Sequence, residues 1–211
     1  LRRRGGSIAD MAILVIDVLE GFEEITYECL EILKARKTPF VVAANKIDKI
    51  PGWIESEFKP FVETIKQQPP QVQKKLDELV YNIVAKFEEL GFQADRYDRI
   101  RDFTRTVAII PTSAKTGEGI PDLLLVLAGL SQRYMVKRLY VEEATAKGVV
   151  LECREVTGLG TVADVIIYDG VLKKDDVIVL GGLKGPIVTR IRSILMPKPM
   201  DEMRDPEDKF K

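Results

Sequence analysis

Hydrophobic positions divide the chain into two regimes. Met11 to Asp17 is an almost unbroken apolar run, and Phe22, Ile25, Cys29, Leu30 and Leu33 then recur at helical spacing. Glu23 and Glu24 in the first turn, with Lys34 and Arg36 in the last, complement the helix dipole, and Thr38-Pro39 ends the segment. A second apolar run, 40 to 44, follows. Strand, helix, strand predicts a right-handed crossover with parallel pairing, and the apolar character of both runs predicts strands covered on two faces. A third run, Ile109-Ile110-Pro111, precedes Pro121 and a stripe of Ile120, Leu123, Leu124, Leu127 and Leu130, which predicts a helix running to about Tyr134. From about Tyr140 the period changes to two. Val149, Leu151 and Cys153 fall on one face, Glu152 and Arg154 on the other, and Thr157-Gly-Leu-Gly160 and Asp169-Gly170 supply turns. This region is expected to be an antiparallel β-barrel module.

Between Asp48 and Ser113 lie 64 residues, 49 to 112, more than a simple crossover needs. Pro69-Pro70 divides this insert. Val72, Leu76, Leu79, Val80, Ile83, Val84, Phe87 and Leu90 mark an amphipathic helix closed by Gly91. A packed accessory helical pair is the expectation, with a partner-docking surface as the alternative. Asp95 to Phe103, rich in arginine, is expected to add a short solvated helix.

The chemistry sits at the ends of two apolar runs. Phe40-Val-Val-Ala-Ala44 empties into Asn45-Lys46-Ile47-Asp48, and Ile109-Ile110-Pro111-Thr112 empties into Ser113-Ala114-Lys115. Ligands of open α/β sheets bind at the carboxyl ends of strands. Guanine presents N1–H and an exocyclic amine side by side, so one ionised carboxylate, Asp48, can accept both. Adenine offers an acceptor and a C–H there and would leave the carboxylate unpaired. Asn45 can bond the base and brace the neighbouring loop. The Lys46 stem can cover one ring face, Lys115 the other, and the Ala114 N–H can donate to O6. Gly158 and Gly160 do not read as a phosphate loop, because a strand rather than a helix follows them.

These motifs, with Leu1-Arg-Arg-Arg-Gly-Gly-Ser-Ile-Ala-Asp10 before the first strand and Thr116-Gly-Glu-Gly-Ile-Pro-Asp-Leu-Leu124 after Lys115, resemble the translational GTPases. Within them the chain is most similar to the archaeal and eukaryotic initiation factor 5B branch, related to bacterial initiation factor 2. Gly158-Leu-Gly-Thr-Val-Ala-Asp-Val-Ile167 and Asp176-Val-Ile-Val-Leu-Gly181 resemble the barrel that follows the G domain in such factors. The resemblance implies an α/β chain: the carboxyl-terminal part of a P-loop-type G domain over 1–137, with its insert at about 51–105, then a β-barrel domain over 138–211 that is incomplete at its end. It implies GTP or GDP as ligand, with magnesium in the parent protein. It also implies the ribosome and its RNA, initiator tRNA and other initiation factors as partners, a monomeric state and a cytoplasmic location. The parent's role would be ribosomal subunit joining coupled to GTP hydrolysis. The alternatives are a non-catalytic docking scaffold, or another translational GTPase such as an elongation factor. Arg2-Arg3-Arg4 would close a helix facing the ribosome, where phosphate contact competes with a solvated helix end.

Composition narrows this without changing it. Apolar residues make up 45% and charged residues 31%, as in globular proteins, and a net charge of −1 gives no overall basic field for RNA. No apolar run approaches a membrane span, and Cys29 and Cys153 lack metal-ligand spacing and read as reduced, core-facing residues. The 211 residues contain no histidine and no Gly-x-x-x-x-Gly-Lys-Ser/Thr loop. The family's phosphate cradle, magnesium ligands and water-positioning histidine therefore map upstream, no catalytic residue is assigned, and the chain reads as an internal fragment of a larger factor.

Phosphoryl transfer depends on positioning and electrostatics from those upstream parts. The 211-residue chain is accordingly expected to bind GTP weakly or not at all and to release no phosphate. A multiple-turnover assay on purified protein checks this, and sustained phosphate release would overturn it.

Overall fold

A computed structural model describes residues 9–134 and 145–196. The chain divides into two compact units, Leu1–Tyr140 and Val141–Lys211. Two expectations lie outside the described residues: the role of Arg2-Arg3-Arg4 and the domain boundary at 137/138.

The first unit is built on a parallel sheet. β1 (Ala12–Asp17) leads through α1 (Glu24–Arg36) to β2 (Phe40–Asn45), and the strands pair in register from Ala12 opposite Phe40 to Asp17 opposite Asn45. Helix α1 starts where a capping box forms: Glu23 N–H donates to Thr26 Oγ1 at 3.3 Å, while the Glu23 side chain reaches the Thr26 backbone. It stops at Lys37, in the left-handed conformation at φ 53°. After the insert, β3 (Gln93–Arg96) and β4 (Thr106–Pro111) complete a four-stranded sheet in the order β1-β2-β4-β3. β2 and β4 are thus neighbours at the centre, and Val41 to Ala44 and Ala108 to Ile110 are buried.

The expected two-sided burial holds for β2 and not for β1. Leu14 and Ile16 face the core, whereas Ile13 and Val15 are 45% and 61% exposed. β1 is an edge strand of this sheet, and its pleat sends alternate side chains to a face that no described element covers.

The insert departs from its expected helical pair. Its long helix forms as predicted: α3 (Pro70–Glu89) carries Pro70 at its first position, buries Val72, Leu76, Leu79, Val80, Ile83 and Phe87, and ends before Gly91 at φ 82°. Its partner, α2 (Phe61–Thr64), is one turn long and passes into a 3-10 turn at Ile65–Gln67. The solvated helix expected over Asp95 to Phe103 is absent. Gln93–Arg96 instead adds to the sheet edge as β3, parallel to β4, and Tyr97–Arg99 forms a single 3-10 turn. Arg96 looks solvent-bound in sequence but is buried. Its guanidinium bonds both Asp98 oxygens at 2.7 and 2.9 Å and Asp77 Oδ1 at 2.6 Å, and lies 5.3 Å from the Phe61 ring centre.

Helix α4 (Ile120–Tyr134) buries Leu123 and Val126, while Leu124, expected inside, is exposed with Leu125. The run Leu123-Leu124-Leu125-Val126-Leu127 is apolar all round, so its spacing cannot select a face.

In the second unit, β5 (Lys147–Val156) and β6 (Gly160–Asp169) form one antiparallel hairpin and β7 (Val177–Gly182) and β8 (Gly185–Arg190) another. The turn before β6 places Gly158 and Gly160 at φ 83° and 78°, so these glycines serve a hairpin. Cys153 is exposed rather than core-facing, and Cys29 is only partly buried. For Cys153 the reason lies in the register. Val150 pairs with Val165 and Glu152 with Asp164, which leaves Leu151 as an extra, bulged residue that breaks the simple alternation.

The insert joins the sheet through an aromatic cluster. Phe87 is fully buried and meets Phe22 of the α1 approach edge-on, with ring centres 5.0 Å apart, and Phe92 at 6.1 Å. Phe87→Ala is expected to destabilise the first unit by about 3–5 kcal/mol. Urea unfolding monitored by circular dichroism checks this, and a loss near zero would show that α3 is not integral to the core.

Candidate base-reading site

The site follows from the adjacency of β2 and β4. Ala44 lies opposite Pro111, and the ladder continues past both strands: Thr112 N–H donates to Ala44 O at 2.9 Å and Ile47 N–H to Thr112 O at 3.2 Å. The loops after the two strands therefore leave the sheet side by side. Lys46 turns the first of them with φ 71°, a left-handed conformation uncommon for a residue with a Cβ. The second turns on Gly117 and Gly119, at φ 76° and 73°. A Cβ on Gly119 would lie 2.1 Å from Pro111 O, so only glycine fits there.

All six predicted residues, Asn45, Lys46, Asp48, Ser113, Ala114 and Lys115, meet at these strand ends. Ser113 Oγ donates to Asp48 Oδ1 at 2.6 Å and accepts Thr116 N–H at 3.2 Å, so the half-buried carboxylate is held from the opposite loop. Ser113 is itself fully buried, with its N–H on Glu118 O at 2.9 Å and its carbonyl accepting Gly117 N–H at 2.8 Å. Asn45 Oδ1 accepts the Ala114 N–H at 2.9 Å. The bracing role of Asn45 is thus visible, while the N–H expected to serve O6 is here turned onto Asn45.

Both lysines carry partners that the sequence reading missed. Lys46 Nζ lies 2.6 Å from Asp17 Oδ2, and Lys115 Nζ lies 2.8 Å from Glu55 Oε1. Burial alone would raise the Asp17 pKa. The Lys46 ammonium, with backbone N–H groups of Leu19 and Glu20, more than offsets that and holds it below the usual carboxylate range. Lys46 is raised in turn, first by its hydrogen bond to Asp17, and Lys115 by its bond to Glu55. Asp17 could have been found from sequence, since it ends β1 at the register position of Asn45. Glu55 could not, because only the folding of the insert brings it to Lys115.

A carboxylate held at the strand ends is an acceptor that suits a purine base carrying adjacent N–H donors. Among the described residues no group of three or more His, Cys, Asp or Glu is placed to hold a metal ion.

Residues 1–133 match the family model described as the elongation factor Tu GTP binding domain. The chain belongs to this family of translational GTPases. Residues 160–207 match elongation factor Tu domain 2, the barrel that the resemblance implied. The chain is 60% identical over 210 residues to a probable translation initiation factor IF-2 of Thermofilum pendens, covering 100% of this chain and 35% of that protein. It is 62% identical over 204 residues to the corresponding factor of Sulfurisphaera tokodaii, covering 97% and 34%. The GDP-bound crystal structure of aIF5B from Aeropyrum pernix matches with a TM-score of 0.88 at 57% identity, over 98% of this chain and 35% of that one. Bacterial elongation factor EF-Sec, at 21% identity and a TM-score of 0.55, shares the fold. This translational GTPase chain spans about a third of the length of the curated relatives it matches.

The Asp17–Lys46 pair gives a pH signature. Asp17 is depressed below 3.8, so its contribution is present above that value and is lost as pH falls through the folded-state pKa. Lys46 is raised above 10.5, so its contribution is present below that value and is lost as pH rises through the folded-state pKa. Asp17→Asn should therefore lower the thermal midpoint near neutral pH, with the difference from wild type vanishing as pH falls through the folded-state pKa of Asp17 and shrinking in high salt. Scanning calorimetry over that range checks it; a difference independent of pH would exclude the ion pair as its cause.

Proposed function

We propose that this chain reads the guanine base for a translational GTPase of the initiation class, binding GTP and GDP through Asp48 with Asn45, Lys46, Ser113, Ala114 and Lys115 around it. The observation that carries the reading is the Ser113–Asp48 bond across two adjacent strand ends, which presents a fixed carboxylate where ligands of such sheets bind. A charge-assisted bidentate pair to N1–H and the exocyclic amine then selects guanine over adenine. The reading assigns 1–137 to the carboxyl-terminal part of the G domain and 138–211 to the barrel.

At the level of the whole protein, we infer that nucleotide state governs ribosomal subunit joining and initiator tRNA positioning, with magnesium and hydrolysis supplied by the phosphate-binding part of the domain. The ribosome, its RNA, initiator tRNA and other initiation factors are the proposed partners of a monomeric, cytoplasmic factor. Initiation is favoured over elongation by identities of 60% and 62% to archaeal initiation factors against 21% to EF-Sec.

The test is a base swap in the full-length protein. Asp48→Asn places a donor amide against the guanine amine, whereas xanthine offers an oxygen there. The variant should lose on the order of 3 kcal/mol of GTP affinity, about a hundredfold, and gain xanthosine triphosphate binding. Asn45→Ala should weaken guanine binding without the new preference. Titration with both nucleotides decides it, and an unchanged GTP-over-XTP preference in Asp48→Asn would remove Asp48 as the base reader.

A further inference from the structure

A buried side-chain contact also crosses between the two loops, apart from the bonds of Asn45 and Asp48. Glu118 is fully buried. Its Oε2 accepts the Trp53 indole N–H at 3.1 Å, and its Oε1 has no hydrogen-bond partner among the described residues. A buried carboxyl left half paired is costly, and an apolar side chain would serve packing better. What the position gains is the bond to Trp53.

That bond closes a ring around Asp48. On one side, Glu118 O accepts the N–H of Ser113, whose hydroxyl holds the Asp48 carboxylate. On the other, the Trp53 backbone N–H donates to Ile50 O and Ile50 N–H to Ile47 O, each at 3.0 Å, which leads back through the turn that contains Asp48. A residue further along the insert fixes the Trp53 side of the ring. The Gln68 amide brackets Ile54, accepting its N–H and donating to its carbonyl, both at 2.8 Å.

We propose that Trp53 and Glu118 are positioning residues for base recognition: their hydrogen bond sets the aim of the Asp48 carboxylate, and Gln68 makes the insert part of the base-reading site. The proposal rests on Asp48 as the base reader. A misaimed carboxylate would keep one guanine donor and lose the other, so the loss falls on selectivity for the exocyclic amine.

The experiment compares GDP with inosine diphosphate, which lacks that amine, by calorimetric titration of the full-length protein. Trp53→Phe keeps the apolar packing and removes the N–H, and should reduce the GDP-over-IDP preference about tenfold. Adding Glu118→Met removes the stranded carboxyl, so thermal stability should recover while the base preference does not. A wild-type preference in Trp53→Phe, or a preference that recovers together with stability in the double variant, would overturn the proposal. Asp48→Asn is measured alongside. If it keeps the GDP-over-IDP preference, the base-reader assignment itself fails and the clasp falls with it; if Asp48→Asn loses it and Trp53→Phe does not, only the clasp is wrong.

Discussion

The lateral pairing of β2 with β4 is the constraint from which the site follows. Two segments some 65 residues apart in sequence, as the separation of Asp48 and Ser113 shows, end at one level of one sheet because parallel hydrogen bonding puts Ala44 opposite Pro111. Parallel neighbours send their carboxyl ends the same way, so both following loops emerge on the same edge. A shift of one residue would turn each loop's first side chain to the other face of the sheet. The Ser113–Asp48 and Asn45–Ala114 bonds each need the two loops at hydrogen-bonding distance, and the buried apolar side chains of both strands hold that register.

Charge then refines what the backbone has placed. A hydrogen bond to an ionised carboxylate contributes about 1.5–3 kcal/mol, more than a neutral one, and Asp48 takes such a bond from a fully buried hydroxyl. The lysine pairs differ in kind. Lys46 and Lys115 are exposed enough that Asp17 and Glu55 act mainly as tethers, limiting where long flexible side chains lie. For residues expected to flank a planar ring, restricted freedom before binding lowers the entropy lost on binding.

The insert is integral to the first unit. It contributes the α3 face, the edge strand β3 and the aromatic contacts of Phe87, and its Arg96 is buried through three charge-assisted bonds and the Phe61 ring. Its Asp98 and Asp77 partners leave little desolvation uncompensated, which is how so polar a side chain is tolerated inside. Tyr97 and the Phe61 N–H both donate to Asp122 near the start of α4, so the insert is also bonded to the helix that follows the second loop. Burial, then the Asp122 carboxylate, raises the Tyr97 pKa, which keeps the phenol a donor.

Sequence alone determined the parallel frame, the long helix of the insert, the change to period two and the six residues that meet at the ends of β2 and β4. Each rests on local information: apolar runs, helical spacing, turn glycines and motifs whose chemistry needs those residue types. What it left open were matters of partnership. Burial of Arg96 depends on Asp77, nineteen residues away, and Gln93–Arg96 becomes a strand because the edge of β4 offers unpaired backbone groups, although its side chains read as solvated. The exposed face of Leu124 was undecidable within an all-apolar run, and Cys153 was displaced by a bulge at Leu151 that leaves no mark in the residue pattern. Glu55 and the Trp53–Glu118 bond were likewise decided only by tertiary structure, because a side chain's partner is set by which loops the fold brings together, whereas spacing along the chain records only what lies within a few residues.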